Sequence, residues 1–325
     1  MDFPVDKIKT LFGFFADLIV QSKTGGRLVH KTGQPYSIST IKAYTTTLNH
    51  LTTFHATRKR KIDFNTVDID FYTDFVEYLA KTLKMTSNSI GKYIKTLKTV
   101  LNEATERGIN SNLQYRSRKF STISEQTDSI YLNDAEIKEL EDLELSNNKR
   151  LESVRDLFLV GCFTGLRFSD FSILTAGNIK DGFIEITQTK TGAPVVIPLH
   201  QTVKKIIEKY NEQLPPSISN QKTNEYLKDL ADMVPGLKKT FTRSFTKGGL
   251  KVTKTFEKRE LLVTHTARRS FATNEYLHGT PAITIMAITG HKTEKAFLRS
   301  IKLTPTEHAK LLKLHWDKRN ELKAV

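Results

Sequence analysis

Cysteine is nearly missing from this chain. Cys162 stands alone among 325 residues, which excludes an internal disulfide framework and fits a reducing cytoplasm. Long apolar runs are missing too, and none approaches the roughly 20 residues that a membrane-spanning helix needs. The N-terminus, MDFPVDKIKTLFGFFADLIV, has acidic residues where a signal peptide has basic ones and lacks a small-residue cleavage site; it reads as an amphipathic helix. There is no internal repeat and no low-complexity tract. Acidic residues are in short supply, 35 against 50 Lys and Arg, for a formal net charge of +15. A field of that sign attracts polyanions, and nucleic acid is the expected partner. A membrane surface would need a helix with lysines on one face and exposed bulky apolar residues on the other, and nothing in the sequence demands one.

The length suggests two domains. Up to Phe120, 19 Lys and Arg meet 10 Asp and Glu. Within that third, Ile41, Tyr44, Leu48, Leu51 and Phe54 recur at helical spacing, with Ser37 and Ser39 as candidate N-caps. Ile90, Ile94, Leu97, Leu101 and Ala104 form a second stripe, ended by Gly108 where a C-cap belongs. With the N-terminal segment and Phe71–Leu83 these predict a bundle of four or five helices. Tyr115–Ser129 is polar and without period, and reads as a linker. Beyond it the pattern is mixed. Asn133 and Glu136 have capping-box spacing, helices are expected near 133–144 and 150–164, and strands at Phe183–Gln188 and Val195–Leu199 form a hairpin with Gly192 in its loop. Helices then dominate, interrupted by a basic irregular stretch from Lys238 to Glu260. The expected boundaries are 1–118 for a helical domain, 119–128 for the linker and 129–325 for an α+β domain, mainly α overall with a small β-hairpin.

Three basic clusters carry possible chemistry: Arg167 in TGLRFSD, Lys190 in QTKTG, and His265 with Arg268 in THTARRSFAT, followed by His291 in TGH. Each has a bland reading. An arginine after a helix is ordinarily solvated or a dipole partner, a lysine in a turn is soluble turn chemistry, and His-x-x-Arg on one helix face is common. A metal site is poorly supported, since zinc would want thiolates, carboxylates or further histidines at ligand spacing. The order and spacing of the clusters say more than any one of them.

In that order and spacing the chain resembles the tyrosine recombinases, the phage-integrase family. The boxes are Gly165-Leu166-Arg167-Phe168-Ser169-Asp170, Lys190 between Thr189 and Thr191, His265-Thr266-Ala267-Arg268, and Gly290-His291. The segments YSISTIKAYTTTLNHL and AFLRSIKLTP are similar to integrases of Bacteroidetes mobile elements. The resemblance implies a helical core-binding (SAM-like) domain and a catalytic domain closing as a C-shaped clamp on double-stranded DNA, in the bacterial nucleoid. It implies that Arg167 and Arg268 grip the scissile phosphate through two N–H groups each, that His265 and His291 donate further hydrogen bonds, and that Lys190 is the general acid for the 5′-hydroxyl. Asp170 then orients the site. Such cations stabilise charge developing on the phosphoryl oxygens. No cofactor is implied, because the bond energy is kept in a protein–DNA ester.

That ester needs a tyrosine nine residues beyond the Gly-His box. Ser300 occupies the position, and no tyrosine follows Tyr276, which is expected in the core. A serine hydroxyl lies closer to the backbone and is far less acidic than a phenol of pKa about 10. The expected form therefore binds and does not cleave. Since every other box survives, deliberate replacement is the expected origin of Ser300, ahead of natural decay. The rival readings are a non-catalytic DNA-binding regulator on the same fold and, more remotely, a type IB topoisomerase. Candidate DNA contacts are Lys42, Tyr44 and Thr45, then Lys92, Lys95 and Lys98, then Arg243 and Lys247 with Lys251 and Lys254; solvated helix faces are the bland reading of these lysines. The C-terminal segment, with Leu311, Leu312, Leu314 and Trp316, either docks on a neighbouring protomer of a tetramer or packs within its own chain. DNA-bending accessory proteins are further possible partners. The chain starts almost at the core-binding helices, so the arm-binding domain of many such integrases is expected to be absent or removed.

Overall fold

The computed structural model describes residues 9–30, 32–301, 303 and 305–321; the first eight residues of the expected N-terminal helix lie outside this set. Two compact units divide the chain. One is Met1–Thr127 with Ser244–Thr253, the other Asp128–Arg243 with Lys254–Val325.

The first unit holds α1 (Leu11–Thr24), α2 (Ile38–Ala56), α3 (Ile69–Glu77), which runs into a π turn at Tyr78–Thr82, and α4 (Ser87–Glu106). Each α-helix starts on a side-chain cap. Thr10, Ser37, Asp68 and Thr86 accept from the amides of Gly13, Thr40, Phe71 and Ser89, which satisfies a donor that helix geometry leaves without a partner. The stripes converge on an aromatic core in which the Phe54 ring lies 5.1 Å from Phe75 and 5.0 Å from Tyr78. Tyr115, expected in the linker, is buried in this core and donates its hydroxyl to Asn102 at 2.9 Å.

The linker has no regular structure, yet it is seated on α4. A Cβ at Gly91 would fall 1.8 Å from the Ile123 carbonyl oxygen, so the two backbones touch there. The Asn88 side chain brackets the Glu125 amide and carbonyl at 2.9 Å each. Glu125 in turn accepts from Thr246 through its amide at 2.8 Å and its hydroxyl at 3.0 Å.

In the second unit follow α5 (Asp134–Glu141), with the capping box of Asn133 and Glu136, α6 (Lys149–Thr164) and the single turn α7 (Phe168–Phe171). A three-stranded antiparallel sheet comprises β1 (Ile179–Lys180), β2 (Phe183–Thr187) and β3 (Pro194–Pro198), with Ile184 paired to Ile197 and Ile186 to Val195. Then come α8 (Gln201–Lys209), α9 (Asn220–Asp232), the strands β4 (Thr240–Lys247) and β5 (Leu250–Glu257), α10 (Thr264–Leu277), α11 (Ala282–Thr289), α12 (Glu294–Ser300) and α13 (Pro305–Glu321). Helix α6 is buried on nearly all sides, packed against α8, α9 and α10, and forms the spine of the unit.

The stretch 238–260, expected to be irregular, is a β-hairpin. Its turn is Gly248-Gly249, with φ +62° and +80°, the left-handed pair that a tight hairpin favours. Threonine and serine line one face of β4 and Phe241, Arg243, Phe245 and Lys247 the other, and no residue of either strand is fully buried. The tip, Ser244–Thr253, belongs to the first unit, where Lys247 bridges to Thr86 and the Gly248 amide donates to the Met85 carbonyl at 3.0 Å.

Candidate active site

Two left-handed glycines place two of the expected phosphate ligands. Gly165 (φ +66°) ends α6, and the chain turns through buried Leu166 to Arg167, the N-cap residue of α7. Gly290 (φ +65°) ends α11 and sets His291 beside it. A Cβ at Gly165 would fall 2.3 Å from the Phe271 ring, so closeness and φ together require glycine there.

Arg268, in the first turns of α10, fastens these two corners to each other. It is 3% exposed; its Nη1 donates to the Gly165 carbonyl at 2.8 Å and its Nη2 to the Thr289 carbonyl. Two of its five N–H groups are thus engaged by backbone, and three remain for a ligand. Burial first, then the charge of Arg167, lowers its pKa to about 9, so it stays charged at neutral pH.

His265 lies one turn ahead of Arg268 on α10. Burial first, then the charges of Arg269, Arg268, Arg167 and Lys190, hold its imidazole down to about 4. His291 is lowered to about 4 by burial, then by Arg268, Arg167 and His265. The charges of Arg167, Arg268 and Lys190 reach His265, and those of Arg167, Arg268 and His265 reach His291, so the five side chains share one neighbourhood of positive charge. The Thr289 hydroxyl donates to the Ile285 carbonyl at 2.5 Å and lies 2.7 Å from His291 Nδ1. With its one proton committed to the carbonyl, the hydroxyl accepts from Nδ1–H. The neutral ring then carries no proton on Nε2, and His291 can donate to a phosphate through that atom only as imidazolium.

Lys190 is exposed on the turn between β2 and β3, and the root of that turn is fixed from two sides. Asp170, fully buried, accepts from the Thr189 amide at 2.9 Å. Gln188, also fully buried, accepts from Arg167 Nη1 at 2.9 Å. Gln188 and Thr289 were not singled out in the sequence. A signal for Gln188 was present: it continues the inward alternation of Ile184 and Ile186, an amide where an apolar side chain is expected.

Ser300 is the last residue of α12, and its Oγ donates to the Phe297 carbonyl at 2.7 Å. Phe297 packs edge-on against His291, ring centroids 5.7 Å apart, and 6.2 Å from the Tyr276 ring, which is part of that small cluster.

Among the expected DNA contacts, Lys42 and Thr45 line a groove of about 580 Å³ on α2 with Lys23, Ile38, Ile41 and Thr46. Lys92 and Lys95 are exposed on α4. Tyr44 needs correcting: it is 6% exposed and packs on Phe15 and under the Arg27 guanidinium, because it belongs to the apolar stripe of α2. Lys98 also turns away from its lysine row. Its Nζ donates to the Phe120 carbonyl at 2.7 Å and lies over the Phe120 ring, holding the start of the linker. Arg243 lies over the Phe256 ring at 5.2 Å, while Lys247, Lys251 and Lys254 are exposed on the hairpin. Within its own unit α13 is tied down by Glu307, which accepts from the Tyr131 hydroxyl. Its Leu312 and Trp316 are exposed, and the Leu314 side chain lies outside the described set.

Known proteins are similar to this chain in domain sequence and in fold. The phage integrase SAM-like domain matches residues 10–123, and the phage integrase family matches residues 131–297. No curated protein is a significant sequence match. Among solved structures, the 75–356 portion of lambda integrase, a dimer bound to a COC′ core site, superposes with a TM-score of 0.63 at 14% identity, covering 88% of this chain and 97% of that one. The Tn1549 transposon integrase, in complex with a circular intermediate DNA, gives 0.63 at 13% identity, covering 94% and 99%. A lambda integrase tetramer bound to a Holliday junction gives 0.62 at 16%, covering 90% and 77%. At these identities the superpositions speak for the fold, and the family match, which spans more than half of the chain, speaks for kinship: this protein belongs to the phage integrase family, the tyrosine recombinases.

Proposed function

We propose that this chain is a site-specific DNA recombinase of a mobile element in a form arrested before strand cleavage: it binds duplex DNA and activates one backbone phosphate, and its nucleophile is missing. The observation that supports the reading is the convergence of Arg167, Lys190, His265, Arg268 and His291, where burial first and then neighbouring cations lower the pKa values of His265, Arg268 and His291, and which an anion would relieve. A phosphodiester entering it meets guanidinium N–H groups on its non-bridging oxygens, where charge builds in the transition state. With a tyrosine at position 300, the phenolate oxygen would bond to phosphorus and the 5′-oxygen would leave, taking its proton from Lys190. The product is a 3′-phosphotyrosyl ester and a free 5′-hydroxyl, and reversal with a second 5′-hydroxyl rejoins the strand. Ser300 Oγ is short, weakly acidic and engaged by the Phe297 carbonyl.

The lambda and Tn1549 integrases were seen on DNA, and lambda integrase as a dimer and a tetramer. We carry to this chain a duplex core site as ligand and several protomers assembled on it, with exposed Leu312 and Trp316 of α13 as the docking residues. The second reading, a regulator that only binds DNA, draws on the engaged Ser300 hydroxyl. One experiment separates the two. On a nicked suicide duplex carrying the element's own ends, the Ser300→Tyr variant should form a covalent 3′-phosphotyrosyl adduct and the unaltered chain should bind without one. Cleavage by the unaltered chain contradicts the arrest, and tight binding with no adduct from Ser300→Tyr favours the regulator.

A further inference from the structure

Gln188 does more than the five expected phosphate ligands require of a neighbour. It is 0% exposed, and burying an amide without partners is destabilising. Here both ends are used. The Oε1 accepts from Arg167 Nη1 at 2.9 Å and from the Thr191 hydroxyl at 3.0 Å, and the Nε2 donates to the Ile288 carbonyl at 3.0 Å. Its backbone opens and closes the turn that bears Lys190: the amide donates to Ala193 at 2.9 Å, and the carbonyl accepts from Gly192 at 2.8 Å and Thr191 at 3.3 Å. Ile288 lies three residues before His291, and the loop between them rests on the same amide. A Cβ at Gly290 would fall 2.3 Å from Gln188 Oε1.

Three segments far apart in sequence therefore meet on one side chain: the Arg167 corner, the Lys190 turn and the His291 loop. The amide is polar in the right sense at each end, acceptor toward a cation and donor toward a carbonyl. An apolar side chain of the same volume would fill the space but leave the Ile288 carbonyl, the Thr191 hydroxyl and one Arg167 N–H without this partner, so the amide is kept for what it holds and not for packing alone. We infer that Gln188 is a positioning residue, whose amide sets Arg167, Lys190 and His291 in one register around the phosphate. The inference rests on the recombinase reading and goes beyond it by naming what aligns the ligands.

The test uses full chains. In the Ser300→Tyr background, Gln188→Met keeps the volume and removes both ends of the amide, whereas Gln188→Glu keeps the acceptor for Arg167 and Thr191 and loses the donor to Ile288. Single-turnover adduct formation at saturating protein should fall about 10- to 100-fold in Gln188→Met, with the DNA Kd weakened by clearly less than the rate, about fivefold, and with Tm lowered by several degrees at most. Gln188→Glu should recover part of the rate. An unchanged rate in Gln188→Met, or a loss of rate matched by equal losses of affinity and Tm, overturns the inference. If the Ser300→Tyr parent itself forms no adduct, the recombinase reading has failed separately. Gln188 is then judged in the unaltered chain by titrating inorganic phosphate while following the His265 and His291 ring signals by NMR. Weaker phosphate binding by about fivefold or more in Gln188→Met, an alignment effect of the size misplaced ligands produce, supports the positioning role; equal binding refutes it.

Discussion

His265 and His291 titrate against the charges packed around them. Both imidazoles are held at about 4 in the folded, DNA-free chain, against an ordinary value of 6.5. Between those values the unfolded chain binds more protons than the folded one, so folding stability falls as pH drops from about 6.5 toward 4 and is unaffected by these groups above that window. A bound phosphate reverses the bias by favouring imidazolium, and His291 needs that form to donate through Nε2. DNA binding should therefore take up protons, and at fixed salt the affinity should rise as pH falls from about 7 to about 5, where these imidazoles change state. Calorimetry at pH 6 in two buffers of different ionisation enthalpy measures the uptake directly; zero uptake, or release, would show that His291 does not donate to the phosphate through Nε2. Motif spacing alone could single out Arg167, Lys190, His265, Arg268 and His291 in the sequence. Thr289 could not be singled out in this way, since its contact with His291 is a matter of the helix corner, and Gln188 showed only as an amide at an inward-facing strand position, its Ile288 carbonyl partner lying 100 residues away. Tyr44 sat in the apolar stripe that periodicity had already named, and its choice as a DNA contact ran against that stripe; for Lys98, periodicity names an exposed face but does not say where a long ammonium stem ends up.

Helices with strong apolar stripes and polar caps, α2 and α4 above all, could be read from periodicity because the same residues that bury the stripe also start the helix. The β4–β5 hairpin could not. Its strands bury no continuous face, and the informative signal was the Gly248-Gly249 pair between threonine-rich runs. The corners at Gly165 and Gly290 are elements in their own right, since each converts the end of a core helix into a presented side chain. Gly290 is the sharper case, with left-handed φ and Gln188 Oε1 at 2.3 Å from an added Cβ. Gly290→Ala should cost about 1–2 kcal/mol from the backbone conformation alone, with a further loss from displacing Gln188. Urea unfolding gives the number. If the two residues touch as described, the Gln188→Ala/Gly290→Ala double variant should lose less than the sum of the single losses by at least about 0.5 kcal/mol. Strict additivity would mean that the loop is not seated on the amide.

At the scale of the whole molecule, the two larger hydrophobic clusters among the described residues run from Leu11 to Phe120 and from Leu132 to Ala267, on either side of the aperiodic stretch that the sequence marked as a linker. The assignment of the hairpin tip to the first unit was not visible, since it depends on contacts with Met85, Thr86 and Glu125 across a long sequence gap. The net charge of +15 makes the electrostatic share of DNA binding testable without knowing the site. Each phosphate neutralised contributes about 0.9 to the slope of log K against log salt, so a protein making 6–10 such contacts loses about 10³–10⁵ in affinity between roughly 50 and 200 mM salt. The side chains are not equivalent in this respect. Exposed Lys42, Lys92 and Lys95 are free to meet phosphate, and changing any one to Gln should weaken binding on every sequence and lower the slope by about 1. Lys98 is committed to the Phe120 carbonyl, so Lys98→Gln should leave the slope unchanged and instead loosen the linker, seen as faster amide exchange near Phe120. A flat salt response would refute DNA binding through the basic surface. A slope that fell for Lys98→Gln as it did for Lys95→Gln would put Lys98 back on the DNA and show that its contact with Phe120 yields to phosphate.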